Sequence, residues 1–359
     1  MLKVGLIGCC MFADQHLSQI RSLPNCEIVG VCDLEPLMAR QLAERFRVPR
    51  HFSDVSELLR SARPDVVHIT TPAQSHFPLG KLCIEAGCHV YLEKPFTVTA
   101  PQAEELLTLA ESKGLKMTAG HNLQFNPEAI RMRQMVKEGF LGGPPIHIDC
   151  TQCFPHDEPN YGKALLGDKT HWVRTLPGSL LQNLISHGLA KVAEFLPTDR
   201  PTVYAHVFSS PFLTRQGQSD IVDELRAVIH DGGNTTAHFT FSTQLGAVAN
   251  EIRLHGRKAS IYADSTNRIL LPIRPTRFKS YLRFFLVPRV IAKEYRRNSW
   301  WNIRQFLRKD FAMDYSMRAL IAAFYRSIAE GTPPPLPDRE ILATARMMDD
   351  IFAQISTRR

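Results

Sequence analysis

Three short runs in this 359-residue chain bring together residue types able to do chemistry. The first is Gly8-Cys9-Cys10-Met11-Phe12-Ala13, which closes a strand-like run and opens a helix-like one. A glycine at such a turn lets a pyrophosphate approach the backbone at a helix N-terminus. Only the first fingerprint position is glycine here; Cys10 stands at the second and Ala13, a tolerated residue, at the third. Asp33 ends the next strand-like run 20 residues after Ala13, where a carboxylate accepts hydrogen bonds from ribose hydroxyls. An ordinary strand-to-helix turn capped by Asp14 is the competing reading. The second run is Ile69-Thr70-Thr71-Pro72 with His76, followed by Glu93-Lys94-Pro95, and the third is Gly120-His121-Asn122-Leu123-Gln124-Phe125-Asn126-Pro127.

The elements that must position these runs follow from periodicity. From residue 3 to about 120, short β-branched runs (Lys3–Gly8, Glu27–Cys32, Asp65–Ile69, His89–Leu92, Lys116–Ala119) alternate with amphipathic ones (Gln15–Ser22, Pro36–Phe46, Ser75–Ala86, Pro101–Lys113). Apolar strands alternating with helices predict a doubly wound parallel sheet, an α/β Rossmann domain over 1–120. Beyond it come one helix, Pro127–Lys137, and longer alternating strands between Ile146 and Tyr262. Two polar turns, Asp231-Gly232-Gly233-Asn234 and His255-Gly256-Arg257-Lys258, suit antiparallel neighbours. The remainder, 121–359, reads as an α+β domain with a large, open, mostly antiparallel sheet and two terminal helices, Asp314–Glu330 and Asp338–Gln354.

Together the three runs resemble the Gfo/Idh/MocA family of nicotinamide-dependent oxidoreductases, and Glu93-Lys94-Pro95 is the most specific element. The resemblance implies hydride transfer at a hydroxyl or keto carbon of a sugar, sugar nucleotide or cyclitol. It makes Lys94 the catalytic lysine and implies cofactor contacts from Gly8, Cys10, Met11, Phe12, Ala13, Asp33, Thr71, Pro72, His76, Glu93 and Lys94. The family's second catalytic element, an Asp followed four residues later by His at the start of a long helix, falls on Asn183 and His187. His187 matches; Asn183 replaces the usual Asp, and Gln124 stands where many relatives carry Arg. Neutral imidazole can take the hydroxyl proton while an ammonium stabilises the developing alkoxide. Asn183 can still bond a hydroxyl but supplies neither charge nor proton acceptance. The Lys-Asn-His set thus fits a variant enzyme or a catalytically reduced, dinucleotide-binding accessory or regulatory protein. Substrate contacts are expected from His121, Gln124, Tyr161, His171, Trp172, Asn183 and His187, although Tyr161, His171 and Trp172 read equally well as a surface loop. NAD is expected over NADP, because Asp33 is followed by Leu34, with no adjacent cation to neutralise a 2′-phosphate.

Composition narrows the class. Hydrophobic residues make up 44% and charged residues 22%, which excludes a disordered or fibrous chain. The net charge of +8 is local: residues 274–310 hold eleven Lys and Arg against two acids, +9, and the rest is −1. Nucleic acid is not an expected partner, since no binding motif accompanies the basic stretch. Its aromatics, Tyr281, Phe284, Phe285, Trp300, Trp301 and Phe306 among them, leave three readings: a cover over a phosphate-bearing substrate, an interfacial segment on anionic lipid, or a subunit contact. Pro288 is expected to break it into two pieces. Cys150-Thr-Gln-Cys153 lacks a second ligand pair, so no metal is expected. A cytoplasmic homo-oligomer is expected, with attachment to the inner membrane surface as the alternative that the basic stretch raises.

Overall fold

The computed structural model describes residues 1–155, 167–218, 221–246, 249–276, 278–307 and 315–356. The chain forms two compact units, Met1–Asn122 with Ser316–Ala345, and Leu123–Tyr315 with Arg346–Arg359.

In the first unit, β1 (Leu2–Ile7), β2 (Cys26–Cys32), β3 (His51–Phe52), β4 (Val66–Ile69), β5 (His89–Leu92) and β6 (Met117–Ala119) form a parallel sheet in the order β3-β2-β1-β4-β5-β6. The helices are α1 (Met11–Arg21), α2 (Pro36–Phe46), α3 (Val55–Ala62), α4 (His76–Glu85) and α5 (Ala100–Ser112). Every residue of β4 is buried, as a strand covered on both faces requires. Sequence periodicity passes over β3 and α3 because the strand has two residues. The side chain of Asp54 nonetheless marks the start of α3 by accepting from the Glu57 amide at 2.7 Å. The sequence division at residue 120 put 316–345 with the second domain, whereas the structure groups this segment with the first unit. The reason lies in hydrogen bonds that reach across the sequence. His68 Nε2 lies 2.8 Å from the Tyr325 hydroxyl, and Lys116 Nζ donates to the Thr332 carbonyl at 2.6 Å.

The second unit begins with α6 (Pro127–Lys137) and β7 (His147–Cys153), followed by α7 (Ser179–Leu184), α8 (Ser186–Ala193), β8 (Thr202–Phe208) and α9 (Pro211–Arg215). Then come β9 (Glu224–His230), β10 (Thr236–Ser242), β11 (Asn250–His255), β12 (Ser260–Asp264), β13 (Ile269–Ile273) and α10 (Ser280–Leu307). Its seven-stranded sheet runs β13-β12-β11-β7-β10-β9-β8, antiparallel except where β7 and β10 pair in parallel. The two polar turns join antiparallel neighbours, β9 with β10 and β11 with β12. One face is apolar and buried, carrying Ile148, Cys150, Ala237, Phe239, Ile252 and Leu254; the other is open to solvent. Gly188 of α8 meets the apolar face where a Cβ would stand 2.4 Å from the Phe239 ring, so only glycine fits that approach. Two terminal helices, α11 (Tyr315–Glu330) and α12 (Asp338–Ser356), complete the chain.

Two expectations are corrected. The long helix around Asn183 and His187 is two segments, because Gln152 of β7 intrudes into its hydrogen-bond ladder. Its Nε2 donates to the Leu184 carbonyl at 2.9 Å and its Oε1 accepts from the Gly188 amide at 3.0 Å, the two groups that would otherwise pair. Conversely, Pro288 does not split the basic stretch: α10 runs through it for 28 residues. Pro288 and Phe284 both lie on the exposed side, where water can take the carbonyl that proline leaves without a donor.

Candidate active site

Gly8 ends β1 with φ +96°, and a Cβ there would lie 2.7 Å from Thr71 Cγ2 and 2.9 Å from the Thr71 amide. No side chain fits that turn. Cys10, by contrast, caps α1 in extended backbone with φ −90°, a conformation that does not require glycine. Met11 and Phe12 are exposed, and Ala13 is buried beneath them. Asp33 Oδ2 accepts from the Cys9 amide at 2.6 Å and Oδ1 from the Glu35 amide at 2.9 Å. A carboxylate offers about four lone-pair sites, so both oxygens keep room for hydroxyl donors. A cavity of about 610 Å³ opens here, lined by Gly8, Cys10, Asp33, Leu34, Thr71 and Pro72 among others. It sits at the carboxyl ends of β1, β2 and β4, where the strand order reverses. The glycine-only turn, the Asp33 carboxylate in the cavity lining and the apolar wall therefore fit a dinucleotide.

Glu93-Lys94-Pro95 follows β5, with Lys94-Pro95 in the cis form. His76 braces this turn against the one after β4: Nδ1 lies 2.9 Å from the Pro95 carbonyl and Nε2 lies 2.8 Å from that of Thr71. A neutral ring carries one N–H, so it donates to one carbonyl at a time. The ring is 1% exposed, which makes His76 a positioning residue more than a cofactor contact. Burial lowers the Lys94 pKa, opposed in part by the Glu93 charge, so Lys94 holds its proton less tightly than a solvated lysine. His121 is buried within range of both charges, and burial above all brings its pKa down to about 4.

Sequence reasoning missed the chain of buried groups behind Glu93. His16 Nε2 lies 3.0 Å from Glu93 Oε1, His16 Nδ1 lies 2.9 Å from His68 Nδ1, and His68 Nε2 lies 2.8 Å from the Tyr325 hydroxyl. With Glu93 ionised and both rings neutral, one assignment satisfies every contact: Tyr325 donates to His68, His68 to His16 and His16 to Glu93. Burial alone would raise Glu93, but the His16 hydrogen bond and the nearby Lys94 charge outweigh it, and the carboxyl titrates below its usual range. Nothing in the local sequence marks His16 or His68, which occupy core positions of α1 and β4.

These neutral histidines tie stability to pH. Burial lowers His68 well below 6.5, lowers His76, and brings His121 to about 4. The unfolded chain thus binds protons first, and the stabilisation, complete above about pH 6.5, is lost as pH falls toward about 4. Buried Glu128 of the second unit, with its pKa raised by desolvation, acts in the opposite sense, so the histidine share is read by difference. The thermal midpoint of His68→Gln is expected to fall less than wild type between pH 7.5 and pH 5; an unchanged slope would refute this account.

In the second unit Asn183 is 8% exposed near the end of α7, and His187 is half-buried at the start of α8. Gln124 is buried; its Nε2 donates to Glu194 Oε2 at 3.0 Å and to the Ala190 carbonyl at 3.3 Å. His171 stacks on Trp172 with ring centroids 5.7 Å apart. Tyr161 lies outside the described residues.

The fold and this site define a dinucleotide-binding Rossmann domain joined to an α+β domain built on an open sheet. Residues 2–121 match the family described as "Oxidoreductase family, NAD-binding Rossmann fold". The chain is 32% identical over 142 residues to D-glucoside 3-dehydrogenase of Escherichia coli (strain K12), a match covering 39% of this chain and 40% of that protein. Among solved structures it resembles an NAD-binding oxidoreductase from Klebsiella pneumoniae with a TM-score of 0.78, at 20% identity, over 100% of this chain and 97% of that one. UDP-N-acetylglucosamine 3-dehydrogenase from Acidithiobacillus ferrooxidans aligns with a TM-score of 0.70, at 20% identity, over 98% of each chain.

Proposed function

We propose that this protein is an NAD-dependent oxidoreductase moving a hydride between the nicotinamide and a hydroxyl or keto carbon of a sugar, sugar nucleotide or cyclitol. The observation that carries this reading is the grouping of Lys94, Glu93 and His121 in the same unit as the Gly8–Asp33 cavity. The relatives named for 3-dehydrogenation of a glucoside and of a sugar nucleotide support the substrate class. NAD, when bound, supplies the hydride acceptor or donor. Gly8, Thr71 and the amides that open α1 would hold its phosphates, and Asp33 its ribose hydroxyls. Lys94 stabilises a developing alkoxide, His187 exchanges the hydroxyl proton, and Asn183 hydrogen-bonds a hydroxyl.

Asp33 also sets the cofactor preference, because a 2′-phosphate placed near its carboxylate would meet repulsion. Calorimetric titration is expected to show NADH bound at least about tenfold more tightly than NADPH, the equivalent of about 1.4 kcal/mol. Equal or stronger NADPH binding would overturn the assignment. A screen of sugars and sugar nucleotides for reduced-cofactor absorbance then tests the substrate class. Tight NADH binding with no turnover on any of them would favour the accessory-protein reading.

The exposed helix α10 supports a peripheral role beside this chemistry. Among the described residues no helix is long and apolar enough to cross a membrane. We propose instead that α10 lies on an anionic lipid surface. Phe284, Phe285, Trp300, Phe306 and Leu307 are each at least 66% exposed, and the helix carries six Lys and Arg against one Glu. Apolar side chains flanked by cations on a solvent-facing helix are the composition of an interfacial segment.

A further inference from the structure

The open face of the seven-stranded sheet carries a cluster that no sequence spacing announces. Asp149 of β7 is surrounded by three imidazoles. His147 Nε2 lies 3.2 Å from its Oδ1, His238 Nδ1 of β10 lies 3.4 Å from the same oxygen, and His255 Nε2 of β11 lies 3.4 Å from Oδ2. The three potential ligand atoms of His147, Asp149 and His238 fall within 4.8 Å of one another.

We propose that this cluster is a divalent transition-metal site, with Zn²⁺ as the ion its chemistry fits best. The two imidazole nitrogens of His147 and His238 and one oxygen of Asp149 make the three protein ligands of an open zinc site with water in the fourth position, and metal–ligand bonds of about 2.0–2.1 Å in a tetrahedron space the ligand atoms by about 3.3–3.4 Å. The two nitrogens that face Oδ1, at 3.2 and 3.4 Å, match that edge, while His255 faces Oδ2 and braces the carboxylate from its other side. Two rings are also held by hydroxyls on their far side. His147 Nδ1 lies 2.7 Å from Thr236 Oγ1 and His255 Nδ1 lies 3.1 Å from Ser260 Oγ. Each hydroxyl oxygen can accept a proton carried on Nδ1, and in that tautomer Nε2 presents its lone pair toward Asp149, as a metal requires. The sheet register supplies the juxtaposition: His147 pairs with Thr236 and His255, and Asp149 pairs with His238 and Arg253. Arg253 is the one cation among these neighbours, and it opposes an incoming metal ion.

The test titrates the metal-free full-length protein with Zn²⁺ against a chromophoric chelator and then with Co²⁺. One Zn²⁺ per chain is expected, with Co²⁺ giving the visible bands of a low-coordinate nitrogen and oxygen site and no thiolate charge-transfer band. His238→Ala and Asp149→Asn, both at solvent-accessible positions, should weaken binding at least about 10-fold to 100-fold with far-ultraviolet dichroism unchanged. Arg253→Ala should tighten it, and His206→Ala, two strands away, should leave it unaltered. Absence of stoichiometric binding, a thiolate band, or affinity indifferent to His238 and Asp149 would overturn the proposal. These readouts are independent of hydride transfer, so failure here leaves the oxidoreductase reading standing.

Discussion

Lys94→Ala is expected to lower turnover on the best sugar substrate by orders of magnitude while NADH affinity stays within a few-fold of wild type. The Gly8 turn and Asp33, which would hold the cofactor's phosphates and ribose, are untouched by the change. What is removed is a half-buried ammonium whose pKa desolvation has lowered. Such a group stabilises a developing alkoxide far more in a low-dielectric site than in water. His187→Ala should cost about 10²- to 10⁴-fold in the rate constant, the usual contribution of a positioned proton acceptor. Because Lys94 sits beside buried Glu93, its truncation also unbalances a buried charge, so Lys94→Gln serves as a second variant that keeps a hydrogen-bond donor. Its thermal midpoint separates lost chemistry from lost fold. Wild-type rates in both the Lys94 and His187 variants would remove the mechanism.

The second large effect is expected in sedimentation with vesicles. At low salt the protein should pellet with phosphatidylserine-containing vesicles and stay in solution with neutral phosphatidylcholine ones. Raising the salt should release it, since the Debye length shrinks from about 30 Å at 0.01 M to about 8 Å at 0.15 M. Replacing Phe284, Phe285 and Trp300 together with Ser should abolish recovery without unfolding the protein, because all three are exposed. The helix is anchored elsewhere. Asn298, its buried residue, accepts from the Leu270 amide and donates to the Leu270 carbonyl, both at 2.9 Å, pairing with edge strand β13 as a strand would. Arg131 packs over the Trp301 ring at 5.0 Å. No binding to anionic vesicles at low salt would leave a substrate cover or a subunit contact as the role of α10.

The sequence by itself determined what rests on local periodicity and on contiguous motifs. Fully apolar strands alternating with amphipathic helices require a parallel sheet covered on both faces, and Gly8, Asp33 and Glu93-Lys94-Pro95 lie at the strand ends where such a sheet binds ligands. The polar turns at 231–234 and 255–258 specified hairpins because their own backbone geometry closes them. Tertiary structure decided whatever depended on partners distant in the chain. The amide of Gln152 interrupts the helix between Asn183 and His187, although neither helix nor strand shows it locally. Tyr325 draws α11 to the first unit by reaching His68, 257 residues away. The Asp149 cluster exists only because β7, paired with β10 on one side and β11 on the other, sets side chains 89 to 108 residues apart at one level of the sheet. Strand register is a property of the assembled sheet, and a histidine on an alternating strand reads locally as one more solvent-facing residue until its cross-strand neighbours are known.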